Sequence, residues 1–210
     1  MQLTSHTSGT EFPMDEPALS HPDPFLFAVV FEGGLGLVAV GLGWVFGDPP
    51  AQHIDWTLGG LLFGLLATIP LALSVWLCVK RPWRPFQHLL DVLDETVIPL
   101  FKACEIWKLA GIALFAGFGE EMLFRGVVQN SLANLFEPDA GAVIGLLGAS
   151  LLFGLLHWLT LTYAILAALI GLYLGGLWIA TGNLLVPAVV HAVYDFWALV
   201  YLVKVHGPRK

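Results

Sequence analysis

Three short stretches of this chain place ionisable side chains where nearly every neighbour is apolar. In Gly119-Glu120-Glu121-Met122-Leu123-Phe124-Arg125-Gly126, Glu121 and Arg125 stand one helical turn apart and can pair along one face. Glu120 is rotated by about 100° from Glu121 and is left without that partner, free to act as a general base or acid. Phe153-x-x-x-His157 sets an imidazole near the end of an apolar run, and His191-x-x-x-Asp195 sets another on one face with a carboxyl. Each group alone has an ordinary reading: a packing ion pair, a satisfied interface histidine, a structural hydrogen bond. Together they gather carboxylates, imidazoles and a guanidinium in an apolar bundle whose remaining positions avoid charge, and joint accident is improbable.

The elements that must carry these residues are membrane helices. Of 210 residues, 57% are hydrophobic, 23 are glycine and only 12% are charged, with a mean hydropathy of +0.79. A soluble domain carries about 25% charged residues to face water, so soluble, disordered and fibrous classes are excluded. Apolar runs long enough to cross a ~30 Å hydrocarbon core extend from about Phe25 to Gly47, Leu58 to Val79, Ile106 to Leu132, Ala142 to Leu159, Tyr163 to Ala180 and Leu185 to Val203. Pro70 should kink the second. Between Lys80 and Lys102, Trp83, Phe86, Leu89, Leu90, Leu93, Val97 and Leu100 recur at helical spacing among charged residues, which suits an amphipathic helix in the membrane interface. The expected fold class is an all-α polytopic membrane bundle of about six transmembrane helices plus one interfacial helix. Its divisions are a polar tail over 1–24, two spans and the interfacial helix over 25–104, a four-helix catalytic core over 105–204 and a tail over 205–210.

Charge supports six crossings. Lys80, Arg81, Arg84, Lys102 and Lys108 surround the loop after the second span, and Lys204, Arg209 and Lys210 lie at the C-terminus. Six crossings put these on one face, expected to be cytoplasmic with both termini, in a prokaryotic inner membrane. The exception is Arg125, inside the third span. The net charge of −7 and the lack of a basic stripe argue against nucleic acid as a partner; the expected partners are the lipid bilayer and a peptide or protein substrate. Cys78 and Cys104 flank the basic loop and are expected as free thiols.

The three motifs, in order, resemble those of the CAAX prenyl protease and bacteriocin-processing (abortive-infection, CPBP) family of intramembrane proteases: Glu-Glu-x-x-x-Arg, Phe-x-x-x-His and His-x-x-x-Asn or Asp. The resemblance covers about Gly111 to Tyr201. It implies that Glu120 and His157 polarise a water for attack on a peptide carbonyl, that His191 and Asp195 stabilise the oxyanion or orient substrate, and that Glu121 and Arg125 hold the site in shape. Two features stand apart from that pattern. An ionised Asp195 cannot donate a hydrogen bond as Asn would, and Glu32, the one acid of the first span, has no assigned role.

Two imidazoles and a carboxylate on different helices would suit a zinc site with an open position for water, with His157 and His191 as ligands. The same groups suit metal-free hydrolysis with Glu120 as base, and both chemistries stay open at this point. Rise per residue puts His157 and His191 more than ~10 Å apart along the membrane normal, unless the fourth span begins outside the hydrocarbon or, the favoured alternative, the Thr181-Gly182-Asn183 break dips into the bundle. The activity expected is endoproteolysis of a membrane-associated, CAAX-like or small peptide substrate. The rival readings are a non-catalytic scaffold or immunity protein of the same fold and a proton-coupled transporter, which would ordinarily show inverted repeats.

Overall fold

A computed structural model describes residues 23–80 and 83–206. Nearly all of the polar tail over 1–24, Arg81 and the end of the C-terminal tail from 207 lie outside the described residues. Among those described there are helices and no strands. The chain runs α1 (Pro24–Phe46), a short 3-10 turn (Pro50–His53), α2 (Leu58–Ala67), α3 (Ile69–Lys80), α4 (Arg84–Phe101) and α5 (Ile106–Glu121). A π-helical stretch (Met122–Gln129) and the short α6 (Asn130–Ala133) continue α5, and α7 (Pro138–Leu156), α8 (Leu161–Thr181) and α9 (Leu185–Val200) complete the bundle, with a second π-helical stretch at Tyr201–His206.

Among the described residues, five helical segments are long and apolar enough to cross a bilayer: Pro24–Phe46, Leu58–Lys80, Pro138–Leu156, Leu161–Thr181 and Leu185–Val205. The chain is an integral membrane protein. The sixth crossing expected from about Ile106 to Leu132 is continuous helix from Ile106 to Ala133 but does not join this set. The physical reason is charge: Lys108, Glu120, Glu121 and Arg125 interrupt it, and the last three are buried in the bundle rather than turned to lipid. The second crossing divides at Thr68, next to Pro70, into α2 and α3.

The outer faces are apolar. Leu37, Trp44, Val45, Leu151, Leu161 and Ile165 are each more than half exposed, a surface that hydrocarbon accepts and water would not. The amphipathic segment is a helix, α4, which buries Leu89, Leu90 and Ile98 and touches α3 and α8. Cys78 and Cys104 are free.

Inside, α5 is the pivot, packing against α1 on one side and α9 on the other; α7 pairs with α8, and α2 with α9. Helices in lipid gain contact by bringing backbones close at small residues, and two glycines of α5 do this. A Cβ on Gly117 would lie 2.6 Å from the Ala192 nitrogen in α9, and one on Gly119 would collide with the Glu32 carbonyl in α1. The next residues along α5 are Glu120 and Glu121, so both close crossings meet where the acids stand.

The start of α9 is buried without a break from Asn183 to Ala192. Its irregular approach is satisfied by the 48–57 connection. Asn183 bonds the Asp55 backbone through both its amide oxygen and its amide nitrogen, and Leu184 N–H donates to the His53 carbonyl at 2.8 Å.

Candidate active site

Glu120 and Glu121 end α5, and the backbone then widens into the π-helical Met122–Gln129, a distortion frequent at functional sites. Arg125 is still aimed back at Glu121, with Nη1 donating to Oε1 at 2.7 Å. The pair is dry: Glu121 is 0% and Arg125 1% exposed. A buried charge calls for more than one partner, and both members have them. Arg125 Nη2 donates to the Gly171 carbonyl of α8 at 3.0 Å, while the same Glu121 oxygen accepts from His191 Nδ1 of α9 at 2.8 Å. One turn beyond Arg125, Gln129 Nε2 donates to the Gly175 carbonyl at 3.2 Å. Arg125 and Gln129 therefore tie α8 through two carbonyls one turn apart.

Glu120 faces a different helix. Its Oε2 lies 3.6 Å from His157 Nε2, too long for a direct hydrogen bond and a separation that one water can bridge. His157 caps the end of α7, and its Nδ1 donates to the Phe153 carbonyl at 2.8 Å. In the neutral imidazole this bond leaves the lone pair on Nε2, toward Glu120. The His157 side chain is 26% exposed and that of Asp195 31%, whereas Glu120 and His191 are 9% and 5%. The cluster thus has a closed end at Glu121 and Arg125 and an open end at His157 and Asp195. Asp195 Oδ2 stands 3.4 Å from His191 Nε2.

The two imidazoles are not separated along the bundle as helical rise suggested. Both flank one ring: Phe153 stacks on His157 with centroids 4.3 Å apart and meets His191 edge-on at 5.9 Å. The Arg125 guanidinium lies 4.9 Å from the same ring. The straight-helix count misplaces His191 because α9 begins inside the bundle, under the 48–57 connection.

All six motif residues, Glu120, Glu121, Arg125, His157, His191 and Asp195, thus fall in one cluster drawn from α5, its π extension, α7 and α9. Glu32 of α1 joins them. Its carboxyl lies close enough to that of Glu120 to interact with it; the signal for it in the sequence was a lone acid in an otherwise apolar span. Gln129 left no such signal, being neutral and outside the motifs.

The donor set does not fit a metal ion. Among the described residues no group of three or more His, Cys, Asp or Glu side chains is placed to hold one. Both ring nitrogens of His191 already face carboxyls, so His157 and His191, the ligands the sequence offered in case a zinc is bound, do not present free nitrogens to a common point.

Residues 102–197 match the family model of type II CAAX prenyl endopeptidases, Rce1-like. A curated relative, the uncharacterized protein YpbD of Bacillus subtilis (strain 168), is 35% identical over 117 residues, which cover 54% of this chain and 54% of the relative. The chain therefore spans about half the length of the curated relative it matches. No solved structure matches it significantly. The family resemblance carried by the three motifs holds over residues 102–197, where all six motif residues lie.

Proposed function

We propose that the chain is an intramembrane endopeptidase that cleaves a membrane-associated peptide of the CAAX type, with Glu120 and His157 activating the water. The observation that carries this reading is the 3.6 Å approach of Glu120 Oε2 to His157 Nε2. It sets two proton acceptors side by side at the open end of an otherwise dry cluster. A water donating one O–H to each turns its oxygen lone pair away from both, toward a substrate carbonyl. As that oxygen bonds to the carbonyl carbon, one water proton passes to Glu120 and the carbonyl oxygen gains the charge. Glu120 then delivers the proton to the amide nitrogen as the C–N bond breaks.

With Nδ1 donating to Glu121, His191 acts as the imidazolium so that Nε2 can donate to the oxyanion, and Asp195 Oδ2, 3.4 Å from Nε2, sits where it supports that charged form. Glu121 and Arg125 fix His191 from behind. The charge pattern supports a cytoplasmic basic loop and cytoplasmic termini, with substrate entering from that side or from the bilayer.

Cleavage of a farnesylated CAAX peptide by the full chain in liposomes is the test. Glu120→Ala and His157→Ala should each lower kcat by about 10²–10⁴-fold, the range contributed by a positioned general acid or base. Cleavage at the parental rate by either variant would remove the mechanism.

A further inference from the structure

One carboxyl of the cluster, that of Glu32, takes no part in the proposed water activation. Glu32 lies in α1, outside the residues that match the family, and nothing in the three motifs assigns it. Its position is set by a close helix crossing: only a glycine at 119 lets the Glu32 carbonyl pass there, and Gly36, one turn on, lies against the Gly119 Cα at 3.5 Å from its own Cβ position. The Glu32 carboxyl lies beside that of Glu120, the neighbour of that glycine, close enough to interact with it, and each carboxyl has a buried oxygen without a hydrogen-bond partner. His191 and Asp195 also lie within electrostatic reach of it.

An ionised carboxylate can only accept a hydrogen bond. Two of them cannot bond each other, and both Glu32 Oε2 and Glu120 Oε2 are buried oxygens with no donor among the surrounding groups. One proton between the two carboxyls supplies the missing donor for both. The charges of the cluster agree. Four carboxyls, Glu32, Glu120, Glu121 and Asp195, face one guanidinium and two imidazoles, and closely placed like charges in a low dielectric do not all ionise.

We propose that Glu32 is a positioning residue of the active site, a neutral carboxylic acid that donates its proton in a hydrogen bond to ionised Glu120 and holds that carboxylate toward the water. Glu32 keeps its proton throughout the cycle: the proton taken from water travels through Glu120 to the leaving amine, and no net transfer to Glu32 occurs. The inference rests on Glu120 acting as the base.

Two readouts on the full chain in liposomes test it. In infrared difference spectra, Glu32→Gln should remove one protonated-carboxyl C=O band present in the parent; a band that persists overturns the shared proton, whatever the activity. In turnover of the farnesylated CAAX peptide, Glu32→Ala should lower kcat by about 10- to 100-fold with KM within about twofold, and Glu32→Gln, whose amide N–H still donates, should recover most of the loss. Glu32→Ala at the parental kcat, or Glu32→Gln as slow as Glu32→Ala, overturns the positioning role. Either result leaves the proposed peptidase standing if Glu120→Ala is inactive. Cleavage by Glu120→Ala overturns the peptidase mechanism itself and the role of Glu32 with it, and the infrared band then reports only whether the two carboxyls share a proton.

Discussion

Glu121 and His191, 70 residues apart in the chain, are joined by a 2.8 Å hydrogen bond through the same carboxylate oxygen that binds Arg125. This one oxygen therefore links the π-helical end of the α5 strut to α9, and through the Arg125 contact with Gly171, to α8. The imidazole proposed to face substrate is positioned by a charge pair that is itself fully buried.

The first consequence concerns stability. Removing one partner of a buried ion pair leaves the other charge uncompensated, at a cost of about 3–5 kcal/mol. Arg125→Ala should therefore destabilise the bundle by that amount, and the Glu121→Gln, Arg125→Met double variant should recover part of it by leaving no unpaired charge. Denaturant unfolding in detergent measures both. A single variant within about 1 kcal/mol of the parent, inside ordinary surface effects, would mean that the pair is not the strut described.

A second consequence lies at the α5–α9 crossing. A Cβ at Gly117 would meet the Ala192 backbone at 2.6 Å and 2.8 Å. These are main-chain atoms that cannot swing aside, so Gly117→Ala must push α9 away and lengthen the Glu121–His191 bond. Overpacking of this kind costs about 1–3 kcal/mol, and peptidase turnover should fall with it. Gly34→Ala is the control, because nothing lies within 4 Å of its Cβ position; it should leave both stability and turnover near the parent. Equal effects of the two variants would show that helix propensity, not the crossing, is being measured.

The sequence made some of this site legible and withheld the rest for identifiable reasons. Glu121 and Arg125 share one helical segment, so their spacing alone places them on one face; the pairing survives the π-helical widening between them. The bond from Glu121 to His191 has no local signature, because it depends on how closely α9 approaches at Gly117. Glu32 was visible as an acid in an apolar run, but which way α1 turns it is set by the crossing at Gly119. Helical rise misplaced His191 because Asn183 and Leu184 are held by the 48–57 connection, a tertiary contact to a loop that no periodicity announces. The count of apolar crossings differed from expectation at the one helix whose charges build the site.

Phe153 supports a third prediction. Its ring touches His157, His191 and the Arg125 guanidinium and is 3% exposed, so it acts as the common wall on which both imidazoles rest. Phe153→Leu keeps an apolar side chain there at a cost under about 1.5 kcal/mol but removes the flat face that orients the rings. Turnover should fall by about tenfold or more, a barrier increase of at least ~1.4 kcal/mol, while unfolding changes little. Phe153→Ala should lose about 3–5 kcal/mol of stability. If Phe153→Leu cleaves at the parental rate, the ring fills space and orients nothing.

The last prediction separates two roles for Asp195. Its Oδ2 stands 3.4 Å from His191 Nε2 at the open end of the cluster. An ionised carboxylate there can hold His191 in place but cannot donate to an oxyanion, whereas the amide of Asn can donate. If the oxyanion is stabilised by hydrogen bonds from this end of α9, Asp195→Asn should retain or raise kcat, and Asp195→Ala should lower it by the removal of the His191 partner. If the carboxylate charge is what the reaction uses, Asp195→Asn should instead fall together with Asp195→Ala. The lost oxyanion donor of a hydrolase is worth about 10²–10³ in kcat, so the two outcomes differ by far more than assay error. Parallel loss in both variants would assign Asp195 to holding His191 and leave the imidazole as the sole α9 donor to the oxyanion.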